Sequence, residues 1–254
     1  MKRFEGKVAL VTGATTGIGR ATAVRLAAEG ALVAVNQLPD SDPATTLYEI
    51  EQAGGVGFPV VADMSQPDQV VAMVHTVVER GGRLDHLVSN AAINPLLAWD
   101  ETTVEQWDLI CNTNLRGPWL VATEAAKQMV AAGRGGSIVF VSSISAHVGA
   151  PYQTAYCATK GGISMLAKAL GSVLGAHGIR VNCVEPGAVA TPMSEPMMDD
   201  PKVLGYYTER IALHRLGQPA ELASAIAFLL SDDASYVTSA ALLVDAGFIV
   251  NAEL

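Results

Sequence analysis

Short apolar runs recur along the chain, and stretches with helical spacing separate them. Residues 7–12, 32–36, 56–62, 86–89, 137–142, 180–185 and 242–245 are rich in Val, Ile, Leu and Ala and read as strands. Between them, apolar positions at helical spacing predict helices over 17–29, 44–53, 66–80, 104–132, 155–176 and 219–230. The strand runs are nearly continuous rather than alternating, as expected when helices cover both faces of a parallel sheet. Regular β–α alternation implies right-handed crossovers. The expected fold is therefore α/β, a doubly wound parallel sheet, in a single domain over residues 1–254. No repeat, low-complexity stretch or linker interrupts it.

Ligands of such sheets bind beyond the C-terminal ends of the strands. The residues with chemical potential lie there, each at a strand end or in the loop or helix that follows. Thr12-Gly13-Ala14-Thr15-Thr16-Gly17-Ile18-Gly19 stands where a strand hands over to a helix. Glycines at that point permit a tight turn and let the backbone approach a phosphate held at the helix N-terminus. The spacing is Gly-x3-Gly-x-Gly, which differs from Gly-x-Gly-x-x-Gly. Farther on, Tyr156 and Lys160 are four residues apart and share one helix face. Ser143 ends a strand thirteen residues earlier. A free tyrosine has a pKa near 10, and lowering it by about three units takes roughly 4 kcal/mol. One cation about 4 Å away at an effective dielectric near 20 supplies a comparable amount. The lysine makes the tyrosine a credible proton carrier.

Composition narrows the function. Half the residues are hydrophobic, which suffices for a large core. With 16 basic and 25 acidic residues the net charge is −9, and no basic cluster exceeds Lys2-Arg3. A nucleic-acid surface is not expected. The three cysteines (Cys111, Cys157 and Cys183) lack CxxC spacing, so reduced thiols and a cytoplasmic location are expected. No apolar segment follows the basic N-terminus, and no run reaches the roughly 18 apolar residues of a membrane span, so neither leader nor span is expected. The scattered histidines predict no metal site.

Taken together and in this order, the glycine loop, Ser143, Tyr156 and Lys160 resemble the short-chain dehydrogenase/reductase family over nearly the whole chain. The resemblance implies a Rossmann-like fold, a nicotinamide cofactor and hydride transfer between that cofactor and an alcohol or carbonyl. Tyr156 would be the general acid/base. Ser143 would hydrogen-bond the substrate oxygen, Lys160 would hold the cofactor's ribose, and Asn114 would order a water in the proton relay. Implied cofactor contacts are Gly13, Thr16, Gly17, Ile18, Gly19, Gln37, Asp63, Met64, Asn90, Tyr156, Lys160, Pro186, Gly187, Val189 and Thr191. Ser89-Asn90-Ala91-Ala92 stands where the family usually has Asn-Asn-Ala-Gly, so Asn90 is kept while Ser89 and Ala92 depart.

Cofactor choice turns on the end of the second strand. An acidic residue there would pair with a ribose 2′-hydroxyl, and an arginine would pair with a 2′-phosphate. Gln37, Leu38 and Thr16 are all neutral, which favours NAD over NADP. Substrate-facing positions are Asn94, Ser145, His147 and Gln153, with a lid around residues 193–198 that includes Met193, Met197 and Met198. This polar set suits a sugar or polyol, and the C-terminal stretch 235–251 resembles the tails of aldose 1-dehydrogenases in the family, apart from Ala246. The main alternative is a 3-oxoacyl-carrier-protein reductase. Those enzymes need basic residues to dock an acidic carrier, and the corresponding places hold Ala131, Ala132 and Ser172, with Arg134 the nearby cation. A catalytically silent dinucleotide-binding sensor would have lost the tyrosine or the lysine. Helices 104–132 and 155–176 are too long and apolar to be one-sided surface helices, and the resemblance, in which these two helices pair across a two-fold axis, implies a homotetramer.

Overall fold

The computed structural model describes residues 2–251, and the Met197 side chain lies outside the described set. The strands are β1 (Val8–Val11), β2 (Leu32–Gln37), β3 (Val56–Val61), β4 (His86–Ser89), β5 (Gly136–Val141), β6 (Ile179–Pro186) and β7 (Ala241–Val244). They form one sheet in the order β3-β2-β1-β4-β5-β6-β7, every pair parallel. The order reverses between β1 and β4, where Leu10 pairs with both Ala34 and Leu87. That reversal opens a crevice between the loops that leave the two strands.

Two helical layers cover the sheet. Val8 and Leu10 of β1 join one core with α3 (Pro67–Gly81), α5 (Gly117–Ala132) and α6 (Thr154–Leu174). Ala9 and Val11 join the other, with α1 (Gly17–Ala28), α2 (Ala44–Gln52) and α9 (Pro219–Leu230). Successive strand residues face opposite ways, so a strand buried on both sides is apolar except where a polar side chain finds buried partners, as Asn36, Asn182 and Glu185 do. The edge strand β3 departs from this rule: Val56 is 65% exposed, and Pro59, which cannot donate to a ladder, sits within it.

The single helix expected over 104–132 is instead three pieces. α4 (Val104–Cys111) opens with a Thr103/Gln106 capping box, a π-helical turn spans Asn112–Arg116, and α5 follows. Pro118 has no N–H for the carbonyl of Asn114, which breaks the α-helical pattern here. Gly117 donates to Asn112 C=O, five residues back, and the widened turn results. Two helices were also not foreseen, α7 (Glu195–Met198) and α8 (Pro201–Arg210), in and beyond the expected lid. α8 has no fully buried residue, although Val203, Leu204 and Tyr207 fall on one side of it. Its position comes from tertiary contact, with Tyr207 stacked on Phe248 at 5.2 Å between ring centroids.

Candidate active site

A cleft of about 500 Å³ lies over the C-terminal strand ends. Its floor is the loop after β1. Gly13 and Gly17 have φ of +61° and +55°, conformations that side chains rarely adopt. A Cβ on Gly19 would come 2.2 Å from the Gly13 carbonyl oxygen, so nothing larger than glycine fits. Asparagine side chains hold the loop in place. Gly13 N–H donates to Asn36 Oδ1 at 3.0 Å, and Asn90 Nδ2 donates to the carbonyls of Thr12 (2.9 Å) and Gly13 (3.2 Å). Thr12 Oγ1 accepts from the N–H groups of Asn90 and Ala91. Asn90 therefore lines the cleft, but its amide is spent on shaping the loop.

Gln37, Asp63 and Met64 line the far end of the cleft, while Pro186, Gly187, Val189 and Thr191 line the near wall, as do Thr16 and Ile18. The structure brings all of these expected cofactor residues together with Gly13, Gly17 and Asn90. Asp63 Oδ1 accepts from Ser65 N–H at 2.8 Å, which fixes the turn after β3. Gln37 Oε1 is buried with no partner among the described residues. A buried acceptor left unpaired is costly, and a ribose hydroxyl would satisfy it. The glycine cradle and this acceptor fit a dinucleotide.

The reacting groups stand where the two halves of the sheet meet. Ser143 follows β5, and Tyr156 and Lys160 lie one turn apart on α6. Burial pushes Tyr156 up to about 12, and the Ser143 hydroxyl beside it pulls the other way. Burial pushes Lys160 down to about 8, so the ammonium survives at neutral pH. Lys160 Nζ donates to Val141 C=O at 2.9 Å and lies 5.3 Å from the centre of the tyrosine ring. The π-turn delivers Asn114 into the protein, where Oδ1 accepts from Ile93 N–H and Nδ2 donates to Ile93 C=O, each at 2.8 Å. Asn114 thus clamps the loop after β4 against the site.

Three of the four expected substrate-facing residues, Asn94, Ser145 and Gln153, line the cleft. Among the described residues their side chains make no hydrogen bond, and Asn94 Oδ1 is fully buried.. His147 is the exception and corrects the sequence reading: it is not part of the lining, and its Nε2 lies 2.6 Å from Glu185 Oε2. A buried carboxylate draws the ring away from the cleft. The cleft also contains residues the sequence did not single out, among them Leu96, Leu109, Thr113 and Tyr207. Leu109 and Thr113 come from α4 and the π-turn, and Tyr207 comes from α8, so no local pattern could place them.

The strand reversal, a glycine cradle and a tyrosine–lysine pair define a Rossmann-type oxidoreductase that uses a nicotinamide dinucleotide. A family profile described as enoyl-(acyl carrier protein) reductase matches residues 13–249. The chain is 45% identical over 252 residues to an L-rhamnose 1-dehydrogenase (NAD(P)+) of Sphingomonas sp. (strain SKA58), covering 99% of each chain. It is 38% identical to a 3-oxoacyl-[acyl-carrier-protein] reductase of Thermotoga maritima, covering 98% of this chain and 100% of that protein. The crystal structure of a gluconate 5-dehydrogenase from Burkholderia cenocepacia in complex with NADP and tartrate superposes with a TM-score of 0.93 at 31% identity, covering 99% of both chains. The chain belongs to the short-chain dehydrogenase/reductase family and is an NAD(P)-dependent oxidoreductase acting on CH–OH groups. Among the described residues, no helix is long and apolar enough to cross a membrane.

Proposed function

We propose that the protein is an aldose 1-dehydrogenase that oxidises the anomeric carbon of a sugar of the rhamnose or glucose class to a lactone. The observation that carries this reading is the unpartnered polar set Asn94, Ser145 and Gln153 in the cleft, with Asn94 Oδ1 buried. Each buried polar group needs a hydrogen-bond partner, and a sugar brings several hydroxyls. An acyl chain would leave those groups unpaired at about 1–3 kcal/mol each. The similarity to L-rhamnose 1-dehydrogenases supports the same reading. Ala131, Ala132 and Ser172 are exposed and uncharged, so the places expected to dock an acidic carrier hold no basic residue, with Arg134 the nearby cation.

In this reading Ser143 donates a hydrogen bond to the anomeric oxygen and Tyr156 removes its proton. The cofactor, when bound, takes the hydride. Lys160 holds the ribose hydroxyls, and its ammonium counters the cost that burial imposes on the phenolate. Asn114 positions the adjoining loop through Ile93 and keeps one amide hydrogen for a relay water. NAD is the proposed cofactor, since the neutral Gln37 and Leu38 line that end of the cleft and offer a 2′-phosphate no cation. Trp119, Met165 and Val173 are exposed on α5 and α6 and support a homotetramer paired through these helices. Free Cys111, Cys157 and Cys183 support a cytoplasmic location.

The deciding experiment compares oxidation of L-rhamnose, D-glucose and related aldoses with reduction of an acetoacetyl thioester. Lactone formation with NAD is expected. Thioester reduction without sugar turnover would overturn the sugar reading.

A further inference from the structure

Glu185 lies in β6, is 2% exposed in its side chain, and among the described residues has no lysine or arginine within salt-bridge distance. A carboxylate so deeply buried is tolerated only with good hydrogen bonds. Its two oxygens accept from two different elements. Oε1 takes the hydroxyl of Ser164 at 2.6 Å, and Oε2 takes Nε2–H of His147 at 2.6 Å. Ser164 lies on α6, one turn beyond Lys160 and two beyond Tyr156. His147 ends the short turn that begins at Ser143, where Ser143 Oγ accepts from Ser145 N–H at 3.0 Å. Ser142, just before, donates to the Lys160 carbonyl at 2.8 Å and lies 3.1 Å from Ser164 Oγ. Ser164 has one proton to give, and the shorter contact with the carboxylate takes the greater share of it.

We propose that Glu185 is a positioning residue: its buried carboxylate ties the turn carrying Ser143 to the helix carrying Tyr156 and Lys160, and so sets the distance between the two reacting hydroxyls. The proposal rests on Ser143 and Tyr156 being the reacting groups. Without the carboxylate, His147 is freed to solvent, since its side chain is already 46% exposed. The Ser143 turn then keeps the Ser142–Lys160 bond but loses its second tie to α6, the one through His147. A shift of about 1 Å in such a group costs on the order of 100-fold in rate. Among the described residues the Glu185 side chain bonds to Ser164 and His147 and not to the glycine loop, so cofactor affinity is expected to change little.

The test uses full-length Glu185→Ala, Glu185→Gln and Ser143→Ala, with Tyr156→Phe as the control for the site itself. Steady-state kinetics with the best sugar, NADH titration and thermal melting are measured for each. Glu185→Ala is expected to lower kcat by about 10- to 100-fold while the NADH Kd stays within about threefold. Glu185→Gln is expected to recover most of the rate. Its carbonyl accepts from Ser164 and its amide donates to the other tautomer of His147. In the Ser143→Ala background, Glu185→Ala is expected to cost no more than about threefold further, because both act on one hydroxyl. Wild-type kcat in Glu185→Ala, a glutamine variant as slow as the alanine, or full additivity with Ser143→Ala would each overturn the proposal. If Tyr156→Phe and Ser143→Ala were fully active, the site reading itself would fall instead. Should Glu185→Ala not fold, Ser164→Ala and His147→Ala each remove one leg of the same tie, and wild-type kcat in both would overturn it.

Discussion

The two ends of the sheet carry cavities of similar size and opposite character. The cleft at the C-terminal ends holds about 500 Å³, and a groove at the N-terminal ends holds about 400 Å³. In the upper cavity the side chains of Gln37, Asn94, Ser145 and Gln153 have no hydrogen-bond partner among the described residues. In the lower one most polar groups are consumed, the buried His86 Nδ1 being an exception. Arg180 donates to the carbonyls of Leu229, Leu230, Ser231 and Val237, closing the end of α9. Asp85 is bonded by Arg83 and by the Val8 N–H, and Arg3 is bonded by Glu29 and Asp233. Burial alone would raise the Asp85 carboxyl, yet these donors hold it below the usual carboxylate range. Volume does not distinguish the working end from the structural end. The amount of unspent hydrogen-bonding capacity does, with four such side chains above against the His86 ring nitrogen below.

The sharpest way to break this contrast is to mutate one residue at each end. Tyr156→Phe should lower sugar turnover by about 100-fold or more while NADH affinity and melting temperature stay near wild type. A fully active variant would remove the chemistry from the upper cleft. The lower end should report on stability instead. His86 lines the groove, and burial pushes its imidazole down to about 4. Its folded pKa is below the unfolded value near 6.5, so the unfolded chain binds more protons between the two. The stabilisation is complete above about pH 6.5 and is lost as pH falls through about 4. Chemical denaturation should show a loss of about 2 kcal/mol on going from pH 8 to pH 5, and His86→Phe should flatten that slope. An unchanged slope in the variant would assign the acid sensitivity to other groups.

Asp85→Asn should cost about 1–3 kcal/mol of stability, because it strips the charge from the Arg83 pair and weakens the bond to Val8 N–H, with kcat/KM unchanged per folded molecule. Loss of activity without loss of stability would blur the division between the two ends. The smallest effect is expected at Gln37. Gln37→Asp should sharpen the preference for NAD several-fold, and Leu38→Arg should move it toward NADP, read as the ratio of kcat/KM values. A wild-type ratio favouring NADP would overturn the cofactor assignment.

Much of this arrangement was legible along the chain. Apolar runs doubly buried by helices declare the parallel sheet, because a strand covered on both faces has no solvent-facing side to make polar. Glycines at a β–α junction and a tyrosine and lysine one helical turn apart are local patterns, and each keeps its meaning wherever the chain folds. Three features depended on the assembled molecule. The break at Asn112–Arg116 combines Pro118 with the close approach of Gly117 to Met64, where a Cβ would lie 2.3 Å from the carbonyl oxygen. α8 buries no residue fully and is held by Tyr207 against Phe248, some forty residues on. His147 has the polarity of a substrate ligand, but a carboxylate 38 residues away claims its ring. The sequence by itself determined the sheet, the cofactor loop and the acid–base pair, because short-range spacing encodes them. Only the tertiary structure decided which polar side chains remained free to bind a ligand, because that depends on partners distant in the chain taking up the rest.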